Sequence, residues 1–191
     1  MSHITIIGTG NMGQAIAGIV TKGGNTVELL GQSDADQPVT GDVVVLAVPH
    51  PSVADVIATR GESLAGKVVV DITNPLDFET FDSLVVPSDG SATAQIAAAL
   101  PESRVIKAFN TTFAATLASG QVGAVPTTVL VAGDDAEAKS LLVDIITAGG
   151  VRAIDAGALN RARELEALGF LQLTLAVGEK VSWNGGFGIA A

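Results

Sequence analysis

The sequence predicts an α/β protein built on a doubly wound parallel sheet. Three features point there. The apolar residues are mostly Ala, Val, Ile and Leu, gathered in short runs such as Val43–Val48 and Val68–Ile72, which suit strands covered on both faces. These runs alternate with segments of helical period. A glycine-rich turn, Gly8-Thr9-Gly10-Asn11-Met12-Gly13, joins the first run to the first helix.

The elements follow in order. Ile4–Ile7 reads as a strand, and Asn11 to about Lys22 as a helix stopped by Gly23-Gly24. Thr26–Leu30 and Val43–Val48 read as the second and third strands. The stretch between them is short for a helical crossover and holds Pro38, so an extended loop is expected there. Pro49-His50-Pro51 breaks the chain before a helix running to about Leu64, which Gly66 ends. Val68–Ile72 is the fourth strand, and Thr73 to Ser91 a long irregular segment with Pro75 and Pro87; loops of that length are often functional. Ala92–Leu100 reads as helix, Val105–Phe109 and Thr128–Ala132 as strands, Asp134–Ala148 as helix and Val151–Ile154 as a short last strand. One helix is expected from about Asn160 to Val181. Its later part, Phe170, Leu171, Leu173, Leu175, Ala176 and Val177, is apolar nearly all round and needs cover on more than one side. The expected organisation is a single unit, a sheet domain over residues 1–157 with a C-terminal helix over 158–191 that packs on it and on a homodimer partner.

Composition narrows the classes of function. The chain has 191 residues, enough for one sizeable core, and no run of about 18 uncharged apolar residues that would span a bilayer. The mean hydropathy of +0.48 therefore reflects buried strands. A net charge of −10 opposes general binding to nucleic acid or to an anionic membrane, since both need a basic face. The absence of cysteine excludes disulfides, thiolate metal sites and cysteine nucleophiles, and two histidines make a zinc site unexpected, so no metal is assigned. Met1-Ser2-His3 leads straight into a strand with no signal peptide, so the cytoplasm is the expected location.

The glycine turn carries the chemistry. Gly-x-Gly-x-x-Gly is weak evidence alone in a chain with 22 glycines, but here it follows a strand, opens a helix and sits in a parallel unit. Gly8 permits the tight turn, Gly10 lets backbone approach a pyrophosphate, and Gly13 lets the helix pack on the strand. The free N–H groups and the dipole of the helix start hold an anion without a basic side chain, which suits an acidic protein. The cofactor is thus a dinucleotide. NAD sites usually place an acid about 20 residues beyond the motif to accept from the ribose 2′-OH. Here the second strand ends in Gly31-Gln32-Ser33-Asp34. Gly31 leaves room for a 2′-phosphate and Gln32 and Ser33 can donate to it, whereas Asp34 would repel it. NADP is favoured, with NAD possible if Asp34 turns inward.

Ligands in such sheets bind at the carboxyl ends of the strands. Those ends are Val48-Pro49-His50-Pro51, Thr73-Asn74-Pro75 and Asn110-Thr111-Thr112. Asn74 and Asn110 can hold a carboxamide or a substrate carbonyl. His50 and Asn110 are the candidate catalytic residues, although a loop histidine packing on the cofactor without proton transfer is the favoured reading of His50. His3 has no expected role. Asp71 and Lys107 fall in strands and read as a partly buried structural ion pair. Tyr is absent, which excludes a Tyr–Lys proton relay. What remains is hydride transfer between two bound ring systems, which needs positioning more than acid–base help.

These residues resemble those of the NADP oxidoreductases dependent on coenzyme F420 (a deazaflavin), and especially the short bacterial dinucleotide-binding oxidoreductases of that group. They are also similar to the cytosolic domain of the six-transmembrane metalloreductases, which moves hydride from NADPH to flavin. The matching motifs are Ile7 to Gly13, Ala47-Val48-Pro49, Asp71-Ile72-Thr73-Asn74-Pro75-Leu76, Lys107-Ala108-Phe109-Asn110-Thr111, Val131-Ala132-Gly133-Asp134-Asp135, Asp155-Ala156-Gly157 and the helix start from Arg161 to Glu166. The resemblance implies a Rossmann fold and NADP contacts at Thr9, Gly10, Asn11, Met12, Gln32, Ser33, Val48, Pro49, Asn74 and Asn110. It also implies a dimer built partly on the last helix. The family commonly has Gly-Ser-Arg or Gly-Ser-Lys where this chain has Gly31-Gln32-Ser33, and often His in place of Asn110. The expected partner is a small-molecule hydride acceptor or donor: a deazaflavin, a flavin or a similar ring. Two alternatives are a non-catalytic NADP(H) redox sensor and a reductase of a small imine or acid.

Overall fold

Runs of β-branched residues set the frame of the molecule. The computed structural model describes residues 1–190. Strands β1 (His3–Ile7), β2 (Thr26–Leu30), β3 (Val43–Leu46), β4 (Val68–Asp71) and β5 (Arg104–Lys107) lie parallel in the order β2-β1-β3-β4-β5, extended at the β5 edge by β8 (Thr128–Gly133) and β9 (Arg152–Gly157). Helices cover both faces. On one, α1 (Asn11–Lys22), the short α4 (Ala114–Ser119) and α5 (Ala136–Ala148) pack on Ile4, Ile6, Val43, Val45, Val68, Val70 and Ile106. On the other, α2 (Val53–Leu64) and α3 (Ala92–Ala99) pack on Ile7, Leu30, Val44, Leu46, Val69 and Val105. Successive strand residues thus serve opposite cores, which is why the runs are apolar throughout rather than alternating.

The expected parallel order holds through β5 and then breaks. β8 pairs with β5 in the antiparallel sense, Lys107 opposite Ala132, and β9 runs parallel to β8. The cause lies in the connection from 108 to 127. Its one helix, α4, has six residues, about 9 Å of rise, too short to carry the chain back to the starting edge of the sheet. A hairpin of β6 (Gln121–Val122) and β7 (Val125–Pro126) turns the chain instead. Thr127 anchors the return, its N–H donating to Gly120 O and its hydroxyl to Thr116 O.

Other boundaries moved for similar local reasons. The fifth strand stops at Lys107, short of Phe109, because Phe109 adopts a left-handed φ of 62°. The last strand is longer than expected and reaches Gly157. The stretch after β2 opens with one 3-10 turn, Gln32–Asp34, before the expected loop. The last helix, α6, spans Ala162–Val177 after a 3-10 turn at Leu159–Arg161, and ends where Lys180 N–H donates to Leu175 O. It buries a stripe that includes Leu165, Glu166, Gly169, Gln172 and Ala176 and leaves Leu171 and Val177 about half exposed. No helix of the described residues is long and apolar enough to cross a membrane.

Candidate functional site

The strand order reverses at β1, which has β2 on one side and β3 on the other. Ligands of such sheets bind in the crevice outside the strand ends at that switch point, and the glycine turn lies there. Gly8 has φ +123°, a conformation that side chains rarely adopt, and a Cβ on it would run into the Ala47 carbonyl oxygen. A Cβ on Gly13 would run into Gly8 O, so this glycine lets α1 seat on the turn. Gly10 differs: its φ is −72° and a Cβ there would meet nothing within 4 Å. It is glycine in front of open space, with no side chain capping the start of α1. Its bareness serves whatever occupies that space, and the uncapped N–H groups of the first turn offer donors to an anion.

Two clefts flank the turn. The first, of about 470 Å³, is lined by Gly8, Thr9, Gly10, Gly31, Gln32, Ala47, Val48 and Pro49 among the expected site residues, and by Ser52, Asp55, Thr59 and Arg60 of the α2 region. The second, of about 380 Å³, is lined by Asn11, Met12, Asn74 and Asn110, together with Ile72, Thr112, Phe113, Ala114, Ala115, Leu173 and Trp183. Each is large enough for a small ligand.

Five expected residues line neither cleft. Gly13 packs beneath the turn, Ser33 is exposed, and Pro75 is buried. Thr73 is buried with its carbonyl taken by Lys107 Nζ at 2.6 Å. His50 lies in a 3-10 turn and lines the groove between α2 and α3 with Pro51, Ala54 and Gln95. Burial chiefly holds its pKa below the ordinary value; Lys107 adds to the effect, against the pull of Asp71 and Glu166. His3 bonds Thr26 and Thr40 through its two ring nitrogens, each at 2.8 Å.

The loop after β2 is held from within and from α2. The Asp34 carboxylate accepts from Gly31 N–H at 2.7 Å and from Gln37 Nε2 at 3.0 Å. Arg60, almost fully buried, donates to Gln37 O at 2.6 Å and to Asp34 O. Among the residues lining the first cleft, Arg60 is the one with a cationic side chain. A lone arginine on a helix about 30 residues from the loop gave no sign of this in the sequence.

Beneath the second cleft lies a cluster of three charges, two of which the sequence showed. Asp71 and Lys107 face each other in register across β4 and β5, Nζ to Oδ2 at 2.9 Å, and both are fully buried. The third member is Glu166 of α6, 3.0 Å from the same Nζ. Glu166 also accepts from Ala92 N and Thr93 N at the start of α3, and Thr93 Oγ1 donates to Asp71 at 2.7 Å. Burial pushes the Asp71 carboxyl up, but the Lys107 charge and hydrogen bonds from Lys107, Thr73 and Thr93 outweigh it, so its pKa lies below the ordinary value. The pair is therefore the centre of a buried triad and not the partly buried bridge expected.

The triad fixes the strand ends that floor the cleft. Asp71 Oδ1 accepts from Thr73 N–H, and the next residue, Asn74, donates to Asn110 O at 2.9 Å. Asn110 Nδ2 returns a bond to Asn74 Oδ1 and another to Leu165 O of α6. Gly169, one turn on, lets α6 approach this amide pair: a Cβ there would run into Asn74 Oδ1. Asn110 Oδ1 is left buried without a protein partner, an acceptor that a ligand N–H would satisfy.

The family described as NADP oxidoreductase, coenzyme F420-dependent, matches residues 27–75. The chain is 34% identical over 171 residues to the F420-dependent NADP reductase of Methanocaldococcus jannaschii, covering 87% of this chain and 76% of that protein. It is 33% identical over 112 residues to the metalloreductase STEAP3 of Rattus norvegicus, covering 59% of this chain and 22% of that one. The crystal structure of a putative F420-dependent NADP reductase from Arthrobacter sp. FB24 superposes with a TM-score of 0.86 at 28% identity, covering 100% of both chains. The glycine turn, the strand-end amides and these likenesses converge, and the chain belongs to the F420-dependent NADP oxidoreductase family.

Proposed function

We propose that the chain binds NADP(H) across the two clefts and transfers hydride between its nicotinamide and a deazaflavin, flavin or similar planar acceptor. The observation that carries this reading is the lining of the second cleft: none of its side chains titrates near neutral pH. Reducing an imine or a carbonyl requires a proton as well as hydride, delivered by a positioned acid. A cleft of amides, aliphatics and aromatics suits two conjugated rings held face to face.

The residues fit the cofactor. The open space before Gly10 and the uncapped start of α1 suit the pyrophosphate. Thr9, Gln32, Val48 and Pro49 face the adenosine half, and Arg60, which also bonds the Gln37 and Asp34 carbonyls, is the cationic side chain in that lining for a 2′-phosphate. This supports NADP over NAD, as do both Asp34 oxygens being engaged by Gly31 and Gln37. Asn110 Oδ1 suits the carboxamide N–H. When bound, NADPH supplies the hydride; the chain's part is to hold the ring over Met12 and Asn110 and leave its other face to the acceptor. A homodimer belongs to the same reading, with Leu171 and Val177 of α6 covered by the second copy.

The test is consumption of NADPH with FMN, FAD, F420, ferric chelates and a cyclic imine, followed by loss of nicotinamide absorbance. Turnover with F420 or a flavin and none with the imine is the expected result. Tight NADPH binding with no acceptor reduced would favour the redox sensor, and turnover of the imine alone would overturn the reading.

A further inference from the structure

Beyond α6 the chain doubles back over the second cleft. Glu179 turns it at a φ of +58°. Residues beyond it are then pinned to the body. Gln172 of α6 is 2% exposed and spans the gap, its Nε2 donating to Thr111 O at 3.2 Å and its Oε1 accepting from Phe187 N–H at 2.8 Å. Gly186, at φ +125°, allows that approach, since a Cβ there would lie 2.6 Å from Gln172 Oε1. Gly188 sits against Val125 of the hairpin with no room for a side chain, and Arg152 Nη1 donates to Ile189 O at 3.3 Å. Within this anchored strap Trp183 rests against Phe113, ring centroids 4.9 Å apart and tilted by 55°. Both rings line the second cleft, yet Trp183 remains 51% exposed. A large aromatic held in place by its flanks, with half its surface uncovered beside a cleft, is not explained by core packing.

We propose that Trp183 is the platform on which the acceptor's ring stacks, a planar conjugated heterocycle of the flavin or deazaflavin class. This rests on the hydride-transfer reading and assigns the acceptor's subsite to the strap. Indole is a sequence-tolerant stacking surface for flat heterocycles. Met12, Phe113 and Leu173 form an apolar part of the remaining wall, and the amides and hydroxyl that complete it carry no charge. Trp183 is a positioning residue for the acceptor and has no role in holding NADP(H).

Trp183 is the chain's single tryptophan, so its emission reports on this site alone. FMN and, separately, F420 are titrated into protein saturated with NADP⁺, where no hydride can move. Saturable quenching beyond that of free N-acetyltryptophanamide is expected with at least one of the two. The second arm is kinetic: Trp183→Ala should raise the acceptor KM about tenfold while leaving the NADPH KM unchanged, and Trp183→Phe should restore most of the difference. Quenching no greater than the free-indole control with both ligands overturns the assignment, as does an unchanged acceptor KM in Trp183→Ala with its circular dichroism intact. Saturable quenching without turnover supports the subsite and counts against the hydride-transfer reading instead, so the two failures are distinguishable.

Discussion

The two clefts beside the glycine turn are built on opposite plans. The first carries charge in its lining: Asp55 is exposed, and the almost fully buried Arg60 bonds the loop after β2, which is also tied down around Asp34. The second has no ionisable side chain in its lining, and the charges nearest its floor are sealed below it in the Lys107–Asp71–Glu166 triad. The contrast suggests a division of labour. Charge that recognises a fixed anionic handle must line the cleft, where it can also select between ligands. Charge that only fixes geometry can lie beneath the cleft, where, paired within the triad, it leaves the lining free for the rings.

The largest effect should come from the buried side. Lys107→Met leaves Asp71 and Glu166 facing each other without a counter-charge, and removing one partner of a buried ion pair typically costs about 3–5 kcal/mol. Urea unfolding should show a loss of that size. A loss below about 1 kcal/mol would mean that the triad does not hold the floor together.

The next change lies between the clefts. Gly10→Val should weaken NADPH binding about a hundredfold or more, because its side chain enters the space the pyrophosphate needs. The fold should survive, since a Cβ there meets no protein atom and φ is already −72°. Replacing a glycine N-cap costs about 1 kcal/mol or less, so Tm should fall by no more than about 4 °C. Gly8→Ala should do the reverse and destabilise the protein, having both a φ of +123° and the Ala47 carbonyl against it. Calorimetry and thermal melts on the pair separate a glycine needed by the ligand from one needed by the fold.

That difference also marks what the sequence could show. The turn was legible because the residues that make it are contiguous and each glycine has a separate physical duty. Asp71 and Lys107 were legible as a pair because they lie on adjacent strands at the same register. Glu166 was not: a glutamate in the polar first turns of a helix reads as surface, and only folding shows it capping α3 and meeting Lys107. Strand direction was hidden for another reason. An apolar run such as Thr128–Ala132 is the same run whichever way it enters the sheet, and the antiparallel turn is set by the shortness of α4. Arg60 and Trp183 reach the clefts from a helix face and a glycine-rich tail, where neither has a local pattern to announce it.

Arg60 sharpens the first cleft. Arg60→Ala should raise the KM for NADPH about tenfold and that for NADH by less than about twofold, the signature of a contact to the 2′-phosphate. Arg60 also holds the backbone of the β2 loop through Gln37 O and Asp34 O. If both cofactors weaken equally, it only braces the loop and the NADP preference must come from elsewhere.

The smallest effect is expected at His50, which lines neither cleft. Its pKa in the folded chain lies below the ordinary 6.5, chiefly through burial. The unfolded chain therefore takes up the proton first as pH falls. The stability linked to His50 is complete above pH 6.5 and is lost as pH drops below that value towards the lower folded one. The urea midpoint of the wild type should decline from pH 7 to pH 5, and His50→Gln should flatten part of that decline. Because His50 lies outside both clefts, kcat for His50→Gln should stay within about twofold of wild type. Loss of a general acid costs about a hundredfold or more. A fall of that size with NADPH binding intact would therefore place a proton donor at His50 and end the contrast between a charged cleft that recognises and an uncharged one that transfers.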